Sequence, residues 1–315
     1  MADDREWLEK HLKILMDIGK DTLEADKSLA DHQPTYDKGP WTGLKLICLN
    51  YYLPVYLNIL AKRGRVGYVD IFSGPGLDRI GRRGVPVPGS PTISVVHSQT
   101  DRSFSLYIFG DINPDYVGAL DLRLESMKAK GLCSFDSDSV ENDVADANKR
   151  IRDAPTMLGD GDIGHCFLFV DPEGLELKWA SLEYFAKNFP RSDWIVLFPS
   201  TGLNRLLGRK DSAAWQLIRE FIGPGSEELN DGSSEADAIR MYRGNLASLG
   251  KEISTEIMIS GGGSFHYHLI PAVKRTRHNS PWFSALLEAK NRIERLSGEA
   301  LEIVSQQIDG IQKVL

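Results

Sequence analysis

At 315 residues the chain is long enough to bury one large core or two modest ones, and 42% hydrophobic with 26% charged residues is the composition of a folded globular protein. The balance of 37 Lys and Arg against 44 Asp and Glu gives a net charge of -7, which argues against a surface that grips nucleic acid all over and leaves only local basic patches. Cys48, Cys133 and Cys166 stand far apart without metal-ligand or CxxC spacing, so they read as core or free thiols of a reducing compartment. With a charged, periodic N-terminus and no stretch approaching the ~20 apolar residues of a membrane span, the chain is expected to be cytoplasmic.

In chain order, Leu8, Leu12, Leu15 and Ile18 recur at helical spacing from Trp7 to Lys20. A loop follows, from Ser28 to Pro40, carrying His32, Pro34 and Gly39. The stretch WTGLKLICLNYYLPVYLNILAKRG predicts a largely buried helix, interrupted at Pro54 and closed by Gly64. Val66 to Phe72 is a strand that breaks into Ser73-Gly74-Pro75-Gly76. LDRIGRRGVPVPG is too rich in Gly and Pro for a helix and predicts a hairpin or extended loop. Ser90 as N-cap and Pro91 at the first helical position open the next helix.

A strand ending at Asp111 and a helix from about Pro114 to Lys130 come next. GLCSFDSD is read as a third strand, VENDVADANKRIRDA as a helix, HCFLFVDPEG as a fourth strand, LEYFAKNF as a helix and DWIVLFP as a fifth strand. Residues 203–250 are mostly helical, with a break at GPGSEELNDGSSE. EISTEIMIS and FHYHLIPAV then form an antiparallel pair, and the C-terminal stretch returns to helix.

This alternation predicts an α/β fold with a doubly wound, mostly parallel Rossmann-like sheet ending in an antiparallel strand pair, with helical N- and C-terminal additions. The expected division is 1–64 as N-terminal helical extension, 65–275 as core with a helical insertion at about 203–250, and 276–315 as C-terminal helical segment. In such a sheet a ligand sits beyond the carboxyl ends of the strands, where strand order reverses. Phe72, Ser73, Gly74 and Gly76 would let the main chain pass close to it, unless the glycines serve only a tight turn. Pro75 removes one N–H donor, and Ser90 with the N–H groups opening its helix is placed to supply others.

Three strands end in carboxylates: Asp70 in DIFSGPG, Asp111 in FGDIN and Asp171 in FVDPEG. This resembles the class I, Rossmann-like methyltransferases. The resemblance implies that S-adenosylmethionine is bound by the glycine-rich first loop, that Asp111 takes the ribose hydroxyls, and that Asp70 contacts the methionine amino group. Asp70 equally suits holding the loop through main-chain N–H bonds, and Asp111 capping the following helix. Asp138 or Asp136 would mark the third strand end and the adenine edge. Asp171 and Glu173 are candidate general bases or part of a surface turn. Enzymes that methylate amines place Asp-Pro-Pro-aromatic there, so Glu173 and Gly174 argue against DNA adenine methylation.

The blocks WTGLKLICLNYYLPVYLNIL, YVDIFSGPG, GSPTIS, DPEGLELKW and FPSTGLNRLL further resemble the bacterial three-Cys-motif partner proteins, which implies association with a Cys-motif, radical-type protein. Arg79, Arg82 and Arg83 read as a phosphate-gripping arm or a solvated loop, and Arg205 with Arg209 as crevice residues or a solvated helix face. Lys274, Arg275, Arg277 and His278 follow a strand of opposite direction and should lie away from the pocket. His266 and His268 alternate on one strand face but lack a third metal ligand nearby. The expected activity is methyl transfer to a nucleic acid or nucleotide-like acceptor met locally. A non-catalytic nucleotide-binding or partner-docking module and NAD-linked oxidoreduction are the alternatives, and no membrane partner is expected.

Overall fold

The structure, a computed structural model, describes residues 2–29, 33–97, 102–209, 212–275, 282–296 and 298–310. The chain opens with α1 (Ala2–Asp26), β1 (Tyr36–Lys38) and α2 (Trp41–Leu60). β2 (Val66–Asp70) runs into the glycine turn, and the hairpin β3 (Leu77–Ile80) and β4 (Val85–Pro88) precedes α3 (Ser90–Val96). β5 (Leu106–Asp111), α4 (Pro114–Ala129), β6 (Val140–Val144), α5 (Ala147–Asp160), β7 (His165–Val170), α6 (Trp179–Asn188) and β8 (Ser192–Phe198) then alternate. α7 (Ser200–Leu207), α8 (Ser212–Ile222) and α9 (Glu235–Ser248) lead to β9 (Ile253–Ser254), β10 (Ile257–Gly262) and β11 (Phe265–Val273). α10 (Phe283–Arg295) and α11 (Glu299–Asp309) complete the described chain.

The main sheet runs β10-β11-β8-β7-β2-β5-β6, with β9 pairing at the end of β11. β8, β7, β2, β5 and β6 are parallel, whereas β11 is antiparallel to both β8 and β10. From β2 the chain first builds outward through β5 and β6, then returns to add β7 on the other side. The reversal of strand order therefore lies beside β2, at its carboxyl end.

Both faces of the central strands are covered. Tyr68, Phe167, Phe169 and Ile195 pack with buried residues of α1, α2, α10 and α11. Val69, Leu168, Val170, Trp194 and Val196 point the other way, into a second core with α5 to α9. Two-sided burial is why these strands read as unbroken apolar runs instead of alternating ones.

Several sequence expectations shift. The third strand is β6, not GLCSFDSD. β6 is an edge strand with mostly exposed or half-exposed side chains, so it carries little apolar signal, while Cys133 and Phe135 lend theirs to the core from a loop. Helix α5 accordingly begins only at Ala147, capped by the Asp146 side chain. Pro54 does not interrupt α2, because burial along most of that helix outweighs a proline cost of ~3 kcal/mol. Against the expectation of no such stretch, Trp41–Arg63 is long and apolar enough by composition to cross a bilayer, but 67% of its apolar window is buried inside the fold. The expected hairpin forms, and β3 also pairs with β1 to make a separate three-stranded sheet. His32, Arg277 and His278 lie outside the described residues.

One buried cation joins these parts. Arg123 of α4 is fully buried. Its guanidinium donates to Asp26 at the end of α1 at 2.6, 2.9 and 3.1 Å, to the Pro34 carbonyl at 3.2 Å, and to the carbonyl of Pro75 in the glycine turn. A buried guanidinium without acceptors is prohibitive, so these segments must meet around it. Arg123→Met, which strands the Asp26 carboxylate, is expected to lower unfolding stability by about 3–5 kcal/mol in urea denaturation, and Asp26→Leu in the same chain should recover part of the loss.

Candidate functional site

The carboxyl ends of β2, β5, β6 and β7 open into a cavity of about 360 Å³. β2 delivers Ile71, Phe72, Ser73 and Gly74 to its wall, β5 delivers Asp111, Ile112 and Asn113, β6 leads to Ala145 and Asp146, and β7 leads to Asp171 and Glu173. Ser90 lines it from the start of α3.

Gly74 has φ +59°, a conformation disfavoured for residues with a Cβ, and nothing lies within 4 Å of where its Cβ would be. Its N–H donates to Asp111 Oδ2 at 3.0 Å, while Asp111 Oδ1 accepts from Asn113 N at 2.8 Å. Each carboxylate oxygen has two lone pairs, so Asp111 keeps acceptor capacity beyond these two bonds. It does not cap α4, whose N-cap is Asn113. Ser73 is anchored to the Gly110 carbonyl by its N–H at 3.0 Å and its hydroxyl at 3.2 Å.

Asp70 and Gly76 are corrections to the expected set. Asp70 is fully buried beneath the cavity and does not line it. It accepts from Phe72 N at 3.3 Å and from the Tyr68 hydroxyl at 3.5 Å, which is the loop-holding role. Burial pushes its carboxyl up to about 7, against hydrogen bonding from Ser90 and Phe72 that favours the charged form. Gly76 also stays off the cavity wall; a Cβ there would meet Leu120 at 2.7 Å, and its carbonyl accepts from Gly89 N at 2.8 Å and Thr92 Oγ1 at 2.6 Å. It serves close packing.

Asp138 is a third correction. It lines a separate cavity with Arg65, Leu106 and Glu141, at the amino ends of the strands, because the strand it was assigned to begins only at Val140. The true strand end places Asp146 at the site, where its carboxylate accepts from Asn148 N and Lys149 N. The arginine arm also fails. Arg79 donates to the Gly84 carbonyl at 3.1 Å, Arg82 N donates to Asp309 at 2.9 Å, and Arg83 lies against Gly310, so the hairpin is tied to α11. None of the three lines the cavity. Arg205 and Arg209 are exposed, Arg205 on α7 and Arg209 just beyond it. Lys274 lines a cavity with Arg63, Arg65 and Arg191 at the opposite end of the sheet, and Arg275 N donates to Glu252 at 3.0 Å. His266 is held by Glu235 at 2.8 Å and His268 by Ser200 at 2.7 Å; among the described residues no cluster of three or more His, Cys, Asp or Glu is arranged for a metal.

Sequence reasoning missed Lys45, Lys38, Asp78, Tyr36 and Tyr116, all of which line the cavity. Lys45 is buried on α2 and pairs with Asp171. A lone lysine in a stretch as apolar as GLKLICL was the available signal. Lys38 pairs with Glu173 at 3.0 Å and sits 3.5 Å from the Tyr36 ring centroid. Burial, then the neighbouring Lys45 charge, lowers the Lys38 ammonium to about 8. Burial raises the Asp78 carboxyl to about 6, against Lys45 and Lys38. The Tyr36 and Tyr116 rings meet at 5.6 Å, and Ile112 is 74% exposed on the cavity wall.

A second cavity of about 330 Å³ adjoins the first, sharing Lys38, Lys45, Asp171 and Glu173 and extending to Trp41, Thr201, Phe265, His266 and Tyr267. The Lys45–Asp171 pair thus stands between the two spaces.

No protein-family model matches the chain, and no curated protein matches it. Among solved structures it is similar to a Legionella pneumophila protein of the DUF519 family at 11% identity and a TM-score of 0.44, over 76% of this chain and 89% of that one. It is also similar to magnesium protoporphyrin IX methyltransferase from Synechocystis PCC 6803 with bound S-adenosylmethionine, at 13% identity and TM-score 0.36, over 74% of this chain and 79% of that one. Human methyltransferase-like protein 13 with S-adenosylhomocysteine aligns at 12% identity and TM-score 0.39, over 82% and 91% of the respective chains.

The pH response of the site follows from its buried acids. A carboxyl raised from 3.8 to about 7 binds more protons folded than unfolded across that window, so its contribution to stability is full below about pH 4 and is lost as pH rises through about 7. Relative to the parent chain, Asp70→Asn should therefore gain stability between pH 4 and pH 8, read as a rising difference in denaturant midpoint.

Proposed function

We propose that the cavity at the carboxyl edge binds S-adenosylmethionine and that the protein transfers its methyl group to a nucleic acid or nucleotide-like acceptor. The observation that carries this reading is the Gly74 N–H bonded to Asp111 at 3.0 Å, with the exposed Ile112 beside it at the point of strand reversal. The donor set fits the group. The remaining acceptor capacity of Asp111 suits two vicinal ribose hydroxyls, and Ile112 with Ala145 and Ala147 offers an apolar surface to a flat base. Asp78, Asp111, Asp171, Glu173 and Glu176 outnumber Lys38 and Lys45 on the wall, a balance that favours the cationic ammonium and sulfonium groups. When bound, the group supplies an electrophilic methyl on sulfur. The chain's own share is to bind and orient, which is most of what an in-line displacement requires. Asp171 is the carboxylate at the boundary of the two cavities and is the residue assigned to hold the acceptor's proton, with Glu173 beside it.

The Lys45–Asp171 ion pair favours a second reading, because it occupies the carboxylate that such chemistry would use. In that reading the protein is a non-catalytic nucleotide-binding module. Association with a three-Cys-motif protein in a bacterial system, through the helical additions, fits either version.

Calorimetry with S-adenosylmethionine, S-adenosylhomocysteine and NAD tests the cofactor site, and transfer of labelled methyl from S-adenosylmethionine to bulk RNA or DNA separates the enzyme from the binding module. S-adenosylhomocysteine is expected to bind and NAD not to. Asp111→Ala removes a charged hydrogen-bonding group worth about 1.5–3 kcal/mol, which should weaken binding roughly 10- to 150-fold. Silence toward all three ligands ends the cofactor reading.

A further inference from the structure

The second cavity has few free polar groups. Lys45 is paired with Asp171 and Lys38 with Glu173. Thr201 Oγ1 donates to the His266 carbonyl at 2.9 Å and accepts from His266 N at 2.8 Å, and the His266 ring is held by Glu235. The rest of the lining is an aromatic wall. Trp41, from the start of α2, and Phe265, from the start of β11, meet with ring centroids 4.8 Å apart, and Phe265 meets Tyr267 at 6.2 Å. The wall is shaped by main chain without side chains: a Cβ on Gly39 would fall 2.1 Å from the Trp41 ring, and one on Gly261 would fall 2.3 Å from the Phe265 ring. Phe265 is nevertheless 36% exposed.

We propose that this cavity is a stacking site for a flat heteroaromatic ring of the nucleobase class, with Trp41 and Phe265 as its platform. Aromatic side chains with an accessible face bind planar rings with little regard to ring identity, and such a contact is effective where polar readout groups are already committed. The turn that follows β7, Asp171-Pro172-Glu173-Gly174, has no aromatic residue, and the rings come instead from α2 and β11, more than 90 residues away on either side. The assignment of this site as the methyl acceptor's rests on the cofactor reading above; ring binding itself does not.

The test titrates the full chain with each of the four ribonucleoside monophosphates, using ribose 5-phosphate as the ring-free control, with and without saturating S-adenosylhomocysteine. Ring-dependent binding is expected in both conditions. Phe265→Ser and Trp41→Leu should weaken it at least about tenfold, Trp41→Phe should retain most of it, and S-adenosylhomocysteine affinity should change less than about twofold in all three. Phe265, being partly exposed, can be removed without opening the core, so its variant remains informative if Trp41→Leu fails to fold. Absence of ring-dependent binding in both conditions, or equal binding by Phe265→Ser and the parent, overturns the proposal. Loss of S-adenosylhomocysteine binding alone, with ring binding still sensitive to Phe265, overturns the cofactor reading and leaves the stacking site standing.

Discussion

A guanidinium with no access to water must find its acceptors inside the protein, and Arg123 finds them at the end of α1, in the loop that follows it and in the glycine turn. Asp26 neutralises it from the last turn of α1, and the carbonyls of Pro34 and Pro75 take its other donors. That requirement fixes the path of the glycine turn from below, at Pro75, a residue that can offer a carbonyl but no N–H. From above, Asp111 fixes the same turn by accepting the Gly74 N–H. The loop is thus clamped between a buried cation on one side and a strand-end carboxylate on the other. Its open geometry at Gly74 is a consequence of both constraints.

The clamp also explains why the N-terminal helices belong to the site. α1 contributes Asp26 to the Arg123 cluster, and α2 contributes Lys45 to the ion pair with Asp171. These helices, with α10 and α11, pack on one face of the sheet, so their polar residues are brought to its carboxyl edge by core packing. Buried pairs of this kind add little net stability but penalise any arrangement that separates the partners. They specify where the helices sit.

Legibility in the sequence followed locality. The strand, the glycine turn and the places of the strand-end acids Asp111 and Asp171 were readable because each depends on a few consecutive residues: an apolar run, then a carboxylate, then a turn. Asp138 was misassigned because β6 is a polar edge strand, whereas Cys133 and Phe135 lend their apolar signal to a loop. Lys38, Asp78, Trp41 and Phe265 were not readable, since their place at the site depends on which helix and hairpin fold over the sheet edge. The arginines of the hairpin carried a strong local signal and a wrong one. Their segment is drawn toward α11, where the Arg82 N–H meets Asp309.

The electrostatics of the two cavities are not symmetrical. The first is walled by an excess of carboxylates, one of which, Asp78, is raised by burial to about 6. The second is walled chiefly by rings and by polar groups already paired. Lys45 and Asp171 belong to both, with 7% and 18% of their side chains exposed. A pair so shielded is disturbed only by something that offers either partner a better contact, because separating the charges leaves each of them poorly solvated. A molecule entering from the aromatic side with an N–H donor would compete with Lys45 for Asp171, and a cationic one entering from the acidic side would compete for the same carboxylate. The two spaces therefore share one ion pair as their common wall.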